Sequence, residues 1–419
     1  MALAAAYDLE IVQLDAVNAF LNSRIDEETL VEYPEGFKKE GKVLQLLRAL
    51  YGLRQSPRLW YKDLTEALQA LGLVLVPDAN CLLSNKWLTV LFYVDDILFI
   101  YHARDTERFE KLLAILLQRY QMRRMKEAKW FLGIRIIRDR VTRRIWLCQD
   151  SYIDKLAAKF NIDTTRLPNS PLGDGILTPY EGEASSQDIY AYQQRIGSIN
   201  FASIGTRADI ARPCSVLSQF LQNPGPAHLT AADRAIGYLV GTKTKAILFD
   251  GLSTERLGAY SDASFADNKD KKSSDGYLFT LYGGPVDWKA AKQKTVSTST
   301  TEAELLALSE AAKQAIQWER ILKAINYSEP RVPIQCDNSQ TIRLLTEDAP
   351  QLVTRLRHVD IHHHWLRQET QDRRILIQWC PTKDMKADGL TKTLTGQRFE
   401  HFIEQLGLDD IQDRLSQSA

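Results

Sequence analysis

The sequence predicts three consecutive structural blocks: one that mixes strands and helices, one that is helical, and one of the α/β class. Short β-branched and aromatic runs, which favour strands, lie mainly in the first and last blocks. Between residues 151 and 240 the apolar residues recur at helical spacing instead. In the third block a group of strands, a long helix, a strand, helices, a strand and a helix follow one another. This order predicts a mixed sheet covered by helices on both faces.

The elements of each block are predicted in chain order, with soft boundaries near residues 150 and 255. The first block has strands at residues 9–14, around Asp95 and Asp96, and at 130–137 and 144–148, with helices at 56–71 and 106–118. The second has helices at 151–160, 188–204, 209–222 and 228–240, and a loop rich in Pro, Gly, Ser and Asp at 161–187. The third has strands at 257–262, 276–282, 285–289, 293–297, 332–337 and 374–380, and helices at 300–325, up to about residue 370, and from about 387.

The composition of the chain argues against several classes of protein. Of its 419 residues, 44% are hydrophobic and 25% are charged, as in an ordinary globular protein, and no run is apolar enough to span a membrane. Five cysteines form no CxxC pair and no short cluster with histidine, which argues against a zinc site or a disulfide framework. Lys+Arg and Asp+Glu balance at 53 each, and a neutral total does not exclude a nucleic-acid partner.

One segment is strongly basic although the chain as a whole is neutral. Ten basic residues lie between positions 119 and 144, against only Glu127 and Asp139. Such a segment could track phosphates or could be a solvated basic face, and the sequence leaves both alternatives open. The basic residues are Arg119, Arg123, Arg124, Lys126, Lys129, Arg135, Arg138, Arg140, Arg143 and Arg144.

Two adjacent aspartates, Asp95 and Asp96, lie at the centre of an apolar run from Leu91 to Ile100. Burying two adjacent carboxylates is costly unless a cation neutralises them. The flanking residues predict two strands with the acid pair at the turn, where a plain hairpin would favour Asn-Gly or Asp-Gly. Two alternatives follow: a strand pair with an exposed acidic tip, or a divalent-metal site at a strand turn.

A third acid of the first block, Asp15, ends the strand candidate at residues 9–14. If that strand neighbours the one that ends at Asp95, three carboxylates can meet at one edge. Oxygen ligands of this kind suit Mg²⁺. Two such ions about 4 Å apart stabilise the attacking and leaving oxygens of an in-line phosphoryl displacement. Without Asp95, the better explanation of Asp15 is a solvated strand end.

The third block carries four acids at the ends of predicted elements. Asp262 and Asp337 end strands, Glu302 opens the long helix, and Asp388 opens the last helix. Each helix acid has an explanation that needs no metal, because Ser299 and Glu302 form a capping box and Asp388 suits the helix dipole. Jointly the four predict a second metal centre at one sheet edge.

The motifs that carry a resemblance occur in one consistent order along the chain. They are Gln13 to Asn22, Tyr33 to Phe37, Leu50 to Trp60, Tyr93-Val94-Asp95-Asp96, Phe131-Leu132-Gly133-Ile134, Ile196 to Ile199, Tyr238 to Thr242, Tyr260-Ser261-Asp262-Ala263, Ser299 to Glu304, Cys336-Asp337-Asn338, Arg357 to Ile361 and Ala387 to Lys392. Together they resemble the reverse transcriptase–ribonuclease H part of Ty/copia-type retrotransposon polyproteins, over about residues 3–394.

The resemblance implies a fold for each part of the chain. Residues 1–150 would form an α+β polymerase palm with its primer grip, with the fingers largely missing. Residues 151–255 would form a helical thumb or connection. Residues 256–395 would form an α/β ribonuclease H-like domain with a mixed five-stranded sheet and helices on both faces, followed by a C-terminal helix or tail at 396–419.

The resemblance also implies roles for single residues of the polymerase. Asp15 and Asp95 would hold two Mg²⁺ ions, with Mn²⁺ as a substitute, and Asp96 would assist. Three further residues would contact the substrates: Phe20 beneath the sugar, Gln55 in the nucleotide pocket and Tyr93 at the primer end.

In the implied nuclease, two more Mg²⁺ ions would be bound by four carboxylates. These are Asp262, Glu302, Asp337 and Asp388. His358 would help turnover near the leaving phosphate, although taken alone it is a surface histidine.

The implied function is RNA-directed DNA polymerase with ribonuclease H activity. Its partners would be an RNA template, a DNA primer, dNTPs, the RNA·DNA hybrid and the integrase of the same polyprotein, with no membrane. We expect weak primer extension or none, because family members carry finger residues before the first palm motif. The alternative is a non-catalytic, degenerate nucleic-acid-binding remnant. The location would be a cytoplasmic virus-like particle and the nucleus, not the secreted fraction.

Overall fold

The computed structural model describes residues 1–125, 127–327, 331, 333–346 and 357–417. Its helices are α1 (Ala2–Tyr7), α2 (Ser56–Ala70), α3 (Thr106–Arg119), α4 (Asp150–Phe160), α5 (Ser186–Gly205), α6 (Ala211–Leu217), α7 (Pro226–Gly241), α8 (Thr300–Ala324), α9 (Ser339–Thr346), α10 (Arg357–Gln371), α11 (Asp388–Thr391), α12 (Gly396–Gln405) and α13 (Gln412–Gln417). Its strands are β1 (Glu10–Ala16), β2 (Leu30–Val31), β3 (Leu44–Gln45), β4 (Val74–Leu75), β5 (Leu82–Ser84), β6 (Leu88–Tyr93), β7 (Asp96–Tyr101), β8 (Met122–Arg124), β9 (Trp130–Phe131), β10 (Ile134–Asp139), β11 (Arg144–Cys148), β12 (Lys245–Asp250), β13 (Leu257–Ser264), β14 (Ser274–Leu281), β15 (Gly284–Lys292), β16 (Ile334–Cys336), β17 (Ile377–Trp379) and β18 (Leu408–Asp410).

The chain divides into two compact units. The N-terminal unit consists of Tyr7–Leu132 with Arg320–Ser328. The C-terminal unit consists of Met1–Ala6, Gly133–Glu319 and Glu329–Ala419. The finer division of the sequence near residues 150, 255 and 395 stays a prediction.

The N-terminal unit is built on a six-stranded antiparallel sheet in the order β4-β5-β6-β7-β1-β8. Helices α2 and α3 share one apolar core with it, because each turns a stripe at helical spacing inward. Phe109 of α3 packs on Phe99 of β7 with ring centroids 5.4 Å apart. The ring centroid of Tyr61 of α2 lies 5.8 Å from that of Phe92 of β6. The central strands β6, β7 and β1, which bear or adjoin the predicted acids, are therefore held by a packed core.

The C-terminal unit contains a mixed five-stranded sheet in the order β15-β14-β13-β16-β17. Strands β13, β14 and β15 pair antiparallel, whereas β16 and β17 run parallel to β13. Helix α8 packs on this sheet through buried Leu305, Leu308 and Ala311, which meet Phe279 and Ile334 in one core. The predicted mixed five-stranded sheet is thus confirmed.

A second sheet in the same unit joins segments that are distant in sequence. Strand β11 pairs antiparallel with β10 and β12, and β12 pairs with β18 from the C-terminal residues. Residues 396–419, predicted as a helix or tail, therefore contribute a strand as well as α12 and α13. Local sequence patterns do not predict pairing between segments that are this far apart in the chain. None of the described helices combines the length and the apolarity that crossing a bilayer needs.

Three predicted elements of the C-terminal unit were wrong in detail. Residues 293–297 form no strand: Gln293 donates to the carbonyl of Ala303, and Ser297 donates to Gln293, so the segment turns to meet the start of α8. The predicted helix at 209–222 is the shorter α6 with 3₁₀ turns beside it. The last predicted helix is divided into the four-residue α11 and the separate α12.

Candidate metal centre

Two of the predicted acids meet because they hold equivalent positions on neighbouring parallel strands. Ala259 of β13 lies opposite Ile334 of β16 in the register. Asp262 and Asp337 each follow three residues later, at the carboxyl ends of the two strands. Adjacent strands lie about 4.8 Å apart, so this register alone brings the two carboxylates together.

Glu304, from the first turns of α8, is the third member of the cluster. One carboxylate oxygen from each of Asp262, Glu304 and Asp337 lies within 4.8 Å of the other two. Asp262 and Glu304 are buried, and the Oε2 atom of Glu304 is buried without a hydrogen-bond partner. Among the described residues this is the group of acids that could hold a metal ion.

The prediction that Glu302 belongs to this cluster was wrong. Glu302 accepts hydrogen bonds from the backbone N–H and the hydroxyl of Thr298, at 2.6 and 2.8 Å. Its own N–H donates to Ser299. Glu302 therefore caps the start of α8, with its carboxylate bonded to Thr298 where a full capping box would use the N–H of Ser299.

The sequence contains a pattern that favours Glu304 over Glu302 as the third member of the cluster. Glu304, Leu308 and Ala311 recur at the spacing of one helix face, and all three are buried. A glutamate in an apolar stripe needs a partner, whereas Glu302 already had one in the capping box. The stripe, not the position at the helix start, identifies the ligand candidate.

Asp388 lies beside the cluster, where a lysine pairs with it. It is the first residue of α11, and its carboxylate forms an ion pair with Lys392, four residues later. The Nζ atom of Lys392 also lies 4.0 Å from a carboxylate oxygen of Asp262. Thr391 donates its hydroxyl hydrogen bond to the same carboxylate of Asp262. Asp388 is thus linked to the cluster through Lys392.

Gly276 explains how α11 comes close to the strand that carries Asp262. It lies opposite Asp262 in the pairing of β13 with β14. A Cβ atom at Gly276 would come within 2.8 Å of Leu390 and 3.1 Å of Thr391. Because glycine has no Cβ, α11 can pack on the sheet and present Asp388 at this edge.

The electrostatics of the cluster follow from burial of several like charges. Burial, together with the charges of Asp262 and Asp337, raises the pKa of Glu304 to about 9. Burial also raises the pKa of Asp262 to about 7, while Lys392 and the Thr391 hydrogen bond lower it. The cluster therefore holds protons near neutral pH unless a cation compensates its charge.

The acids of the N-terminal unit form a row across its sheet. Asp15 of β1 lies opposite Asp96 of β7 on one side and Arg123 of β8 on the other. Asp96 in turn lies opposite Tyr93 of β6. The strand beside β1 is thus β7, which begins at Asp96, and not β6, which leads into Asp95 and was the predicted neighbour.

The turn that carries the acid pair differs from the prediction. Its two residues are Val94 and Asp95, since Tyr93 pairs with Asp96. Val94 has a φ of 55°, a left-handed conformation that is strained for a β-branched residue. Trp60 of α2 donates its indole N–H to the Val94 carbonyl at 2.6 Å. This bond holds the turn in place against that strain.

The two aspartates of the turn have different surroundings. Asp95 is exposed, so the argument from burial applies only to Asp96. Burial raises the pKa of Asp96, a hydrogen bond from Gln13 at 3.1 Å opposes the shift, and the charges of Asp95 and Asp15 add to it. In the described part of the chain, Asp15, Asp95 and Asp96 do not form a group as tight as the one around Glu304.

The residues predicted to contact substrates have different environments. Phe20 is largely buried and contacts Tyr51, with ring centroids 4.5 Å apart and the rings tilted by 44°, so it is mainly a core residue. Gln55, just before α2, donates to Thr29 at 3.5 Å. Tyr93 is 58% exposed at the end of β6, open to a ligand. The side chain of His358 lies outside the described residues.

Many side chains of the basic segment have local partners. Carboxylates of the same unit pair with four of its arginines, while Arg143 donates to main-chain carbonyls of Ala5 and Ala6. Lys126 lies outside the described residues. These contacts favour a solvated basic face over a continuous track for phosphates. The four ion pairs are Arg119–Asp63, Arg124–Glu110, Arg135–Asp150 and Arg144–Asp250.

Comparison with known proteins identifies the family. The family model described as reverse transcriptase (RNA-dependent DNA polymerase) matches residues 1–172. The Retrovirus-related Pol polyprotein from transposon TNT 1-94 of Nicotiana tabacum is 33% identical over 97% of this chain, which spans 32% of that relative's length. The putative transposon Ty5-1 protein YCL074W of Saccharomyces cerevisiae is 31% identical over 72% of this chain and 100% of its own length. The chain belongs to the Ty/copia-type retrotransposon Pol polyproteins.

In this Ty/copia-type chain the match to relatives extends over both units, beyond the part that the reverse transcriptase model covers. A solved structure, LC11 ribonuclease H1 in complex with an RNA/DNA hybrid, aligns with 32% of this chain and 93% of its own at 15% identity and a TM-score of 0.26. At that score the alignment assigns no residue. The evidence for the metal centre is the arrangement of its own carboxylates.

Proposed function

We propose that the C-terminal unit hydrolyses the RNA strand of an RNA·DNA hybrid with the help of divalent metal ions. The observation that carries the proposal is the convergence of Asp262, Glu304 and Asp337 at one sheet edge. Membership of a reverse transcriptase family supports nucleic acid as the substrate. The product of reverse transcription is itself such a hybrid, which makes it a natural substrate for a nuclease in the same chain.

The donor set of the cluster fits a hard divalent cation. Its ligand atoms are carboxylate oxygens, which suit Mg²⁺ or Mn²⁺. The buried, unpartnered oxygen of Glu304 and the raised pKa values of Glu304 and Asp262 support a compensating charge at this place. Asp262, Glu304 and Asp337 would hold the metal, with Asp388 as a further ligand. When bound, the metal supplies charge stabilisation for an in-line displacement at phosphorus.

The remaining residues of the site hold these carboxylates in place. Thr391 donates to Asp262, and Thr382 donates to Asp337 at 2.8 Å. Each hydrogen bond stabilises a charged carboxylate and fixes the direction of its free oxygen. The chain thus orients its acids toward one point before any substrate arrives, which is the preorganisation that phosphoryl transfer requires.

The test is cleavage of an RNA·DNA hybrid labelled on its RNA strand. We expect the full chain to cut the hybrid in Mg²⁺ and not in EDTA, and Asp337→Asn to lower the rate by at least 100-fold. Glu302→Gln is the matched control and should cut at close to the wild-type rate. A wild-type chain that binds the hybrid without cutting it would instead support a non-catalytic remnant.

We propose RNA-directed DNA synthesis as a second function, located in the N-terminal unit. It is supported by the reverse transcriptase model over residues 1–172 and by the opposed pair Asp15 and Asp96. Asp15 and Asp95 would hold the metal ions and Asp96 would assist. Extension of an oligo-dT primer on poly-rA tests it: Asp15→Asn should abolish any incorporation, and incorporation that survives this change contradicts the role of Asp15.

A further inference from the structure

The ammonium group of Lys392 contacts two acids at this edge of the sheet. It pairs with Asp388 and lies 4.0 Å from Asp262. Asp388 lies outside the tight cluster that Asp262, Glu304 and Asp337 form. A positive charge of the chain itself therefore lies between the cluster and its fourth carboxylate.

The surroundings of Lys392 allow another cation to replace its ammonium group. The side chain of Lys392 is 40% exposed and that of Asp388 is 23% exposed, whereas that of Asp262 is only 2% exposed. A lysine ammonium is a compact point charge on a flexible stem, so it can move into solvent without disturbing the sheet. Lys392 reaches the tight cluster only at Asp262, 4.0 Å away, whereas the Oε2 atom of Glu304 has no hydrogen-bond partner among the described residues.

We propose that Lys392 is a positioning residue that makes metal loading sequential. The first ion binds the Asp262, Glu304 and Asp337 cluster. A second ion, shared by Asp262 and Asp388, binds only when the ammonium group of Lys392 leaves, so this ion binds more weakly. Until then Lys392 keeps Asp388 beside Asp262. The inference rests on the proposed metal-dependent function of the same site.

Metal binding without substrate tests this proposal. Mn²⁺ is titrated into the full chain at constant pH and ionic strength, and bound Mn²⁺ is counted by electron paramagnetic resonance. We expect one tight and one weak site in wild type. Lys392→Met should strengthen the weak site about tenfold, the equivalent of losing two ordinary half-exposed ion pairs. The tight site should change much less.

Two variants control for structure and for charge. Lys386→Met removes a nearby lysine that pairs with Glu255 at 2.8 Å instead of with the cluster, and should leave both sites unchanged. Lys392→Arg keeps the charge and should keep the weak site weak. Circular dichroism spectra establish that each variant is folded.

The outcomes separate this inference from the function on which it rests. If wild type has a tight and a weak site, and Lys392→Met leaves the weak site unchanged or weakens it, the role of Lys392 is overturned. The proposed metal-dependent function is not affected by that result. A wild-type chain that binds no Mn²⁺ overturns both proposals. Loss of the tight site in Glu304→Gln, with Lys392→Met strengthening the weak site, supports both.

Discussion

Replacing Glu304 with glutamine should change how the stability of the metal-free protein depends on pH. Glu304 has a folded pKa of about 9, against 4.5 for the free side chain. A raised folded pKa means that its stabilising contribution is complete below about pH 4.5 and is lost as the pH rises toward 9. The site disfavours the charged form of Glu304, mainly because burial removes its hydration and also because Asp262 and Asp337 lie beside it.

The magnitude follows from the size of that shift. One pKa unit corresponds to about 1.4 kcal/mol. Between pH 5.5 and 8 the folded state keeps the proton of Glu304 while the unfolded state has released it, so wild type should lose about 3 kcal/mol of stability through this residue. Glutamine carries no charge in this range. Glu304→Gln should therefore lose much less stability over the same interval and should exceed wild type at pH 8 without metal.

Urea unfolding followed by circular dichroism measures this difference in stability between wild type and Glu304→Gln. It is carried out in EDTA and again with Mg²⁺ at about 10 times its dissociation constant. Mg²⁺ should raise the free energy of unfolding of wild type at pH 8 by about 1.4 kcal/mol, through preferential binding to the folded state. Glu304→Gln should gain little. The ion replaces the lost protons, so Mg²⁺ should also flatten the pH dependence of wild type.

Glu302→Gln is the matched control, two residues away on the same helix. Its carboxylate caps α8 through Thr298, so its loss should cost about 0.5–1 kcal/mol at both pH values. It should leave the Mg²⁺ response intact. If the free energy of unfolding depends on pH equally in wild type and in Glu304→Gln, the reasoning is refuted. It is also refuted if Mg²⁺ still stabilises Glu304→Gln but no longer stabilises Glu302→Gln.

Two further changes test the scaffold of each unit. Arg207→Met should cost about 3–5 kcal/mol in urea unfolding, because it leaves the fully buried carboxylate of Asp209 without its cation; a loss below 1 kcal/mol would contradict this role. Trp60→Phe should cost about 1–2 kcal/mol and should speed amide hydrogen exchange around the turn at Val94, because the indole N–H no longer meets that carbonyl. Unchanged exchange in this variant would mean that the turn is held by its strand pairing alone.

Local patterns were sufficient to predict much of this protein. The amphipathic spacing of α2, α3 and α8 and the apolar runs of β1, β6, β7 and β13 were predicted close to their observed bounds. Such elements depend on neighbours within a few residues, which the sequence displays directly. The family resemblance was likewise confirmed, since it rests on motifs and their order.

Elements that depend on partners distant in the chain were predicted less well. Residues 293–297 have strand-like composition but turn away to bond with the start of α8. Strand β18 forms because it pairs with β12, which lies more than 150 residues earlier in the chain. The turn at Val94 and Asp95 is displaced by one residue from the expected position because the register of β6 with β7 decides it.

The sequence by itself determined that acids stand at strand ends and at the start of α8, where a metal-dependent phosphoryl transfer could use them. Only the tertiary structure decided which of them meet. The parallel register of β13 with β16 joins Asp262 to Asp337, and the rotation of α8 about its axis turns Glu304, not Glu302, toward them. Both are relations between elements far apart in the chain. No local spacing contains them, because packing of the whole sheet and helix sets them.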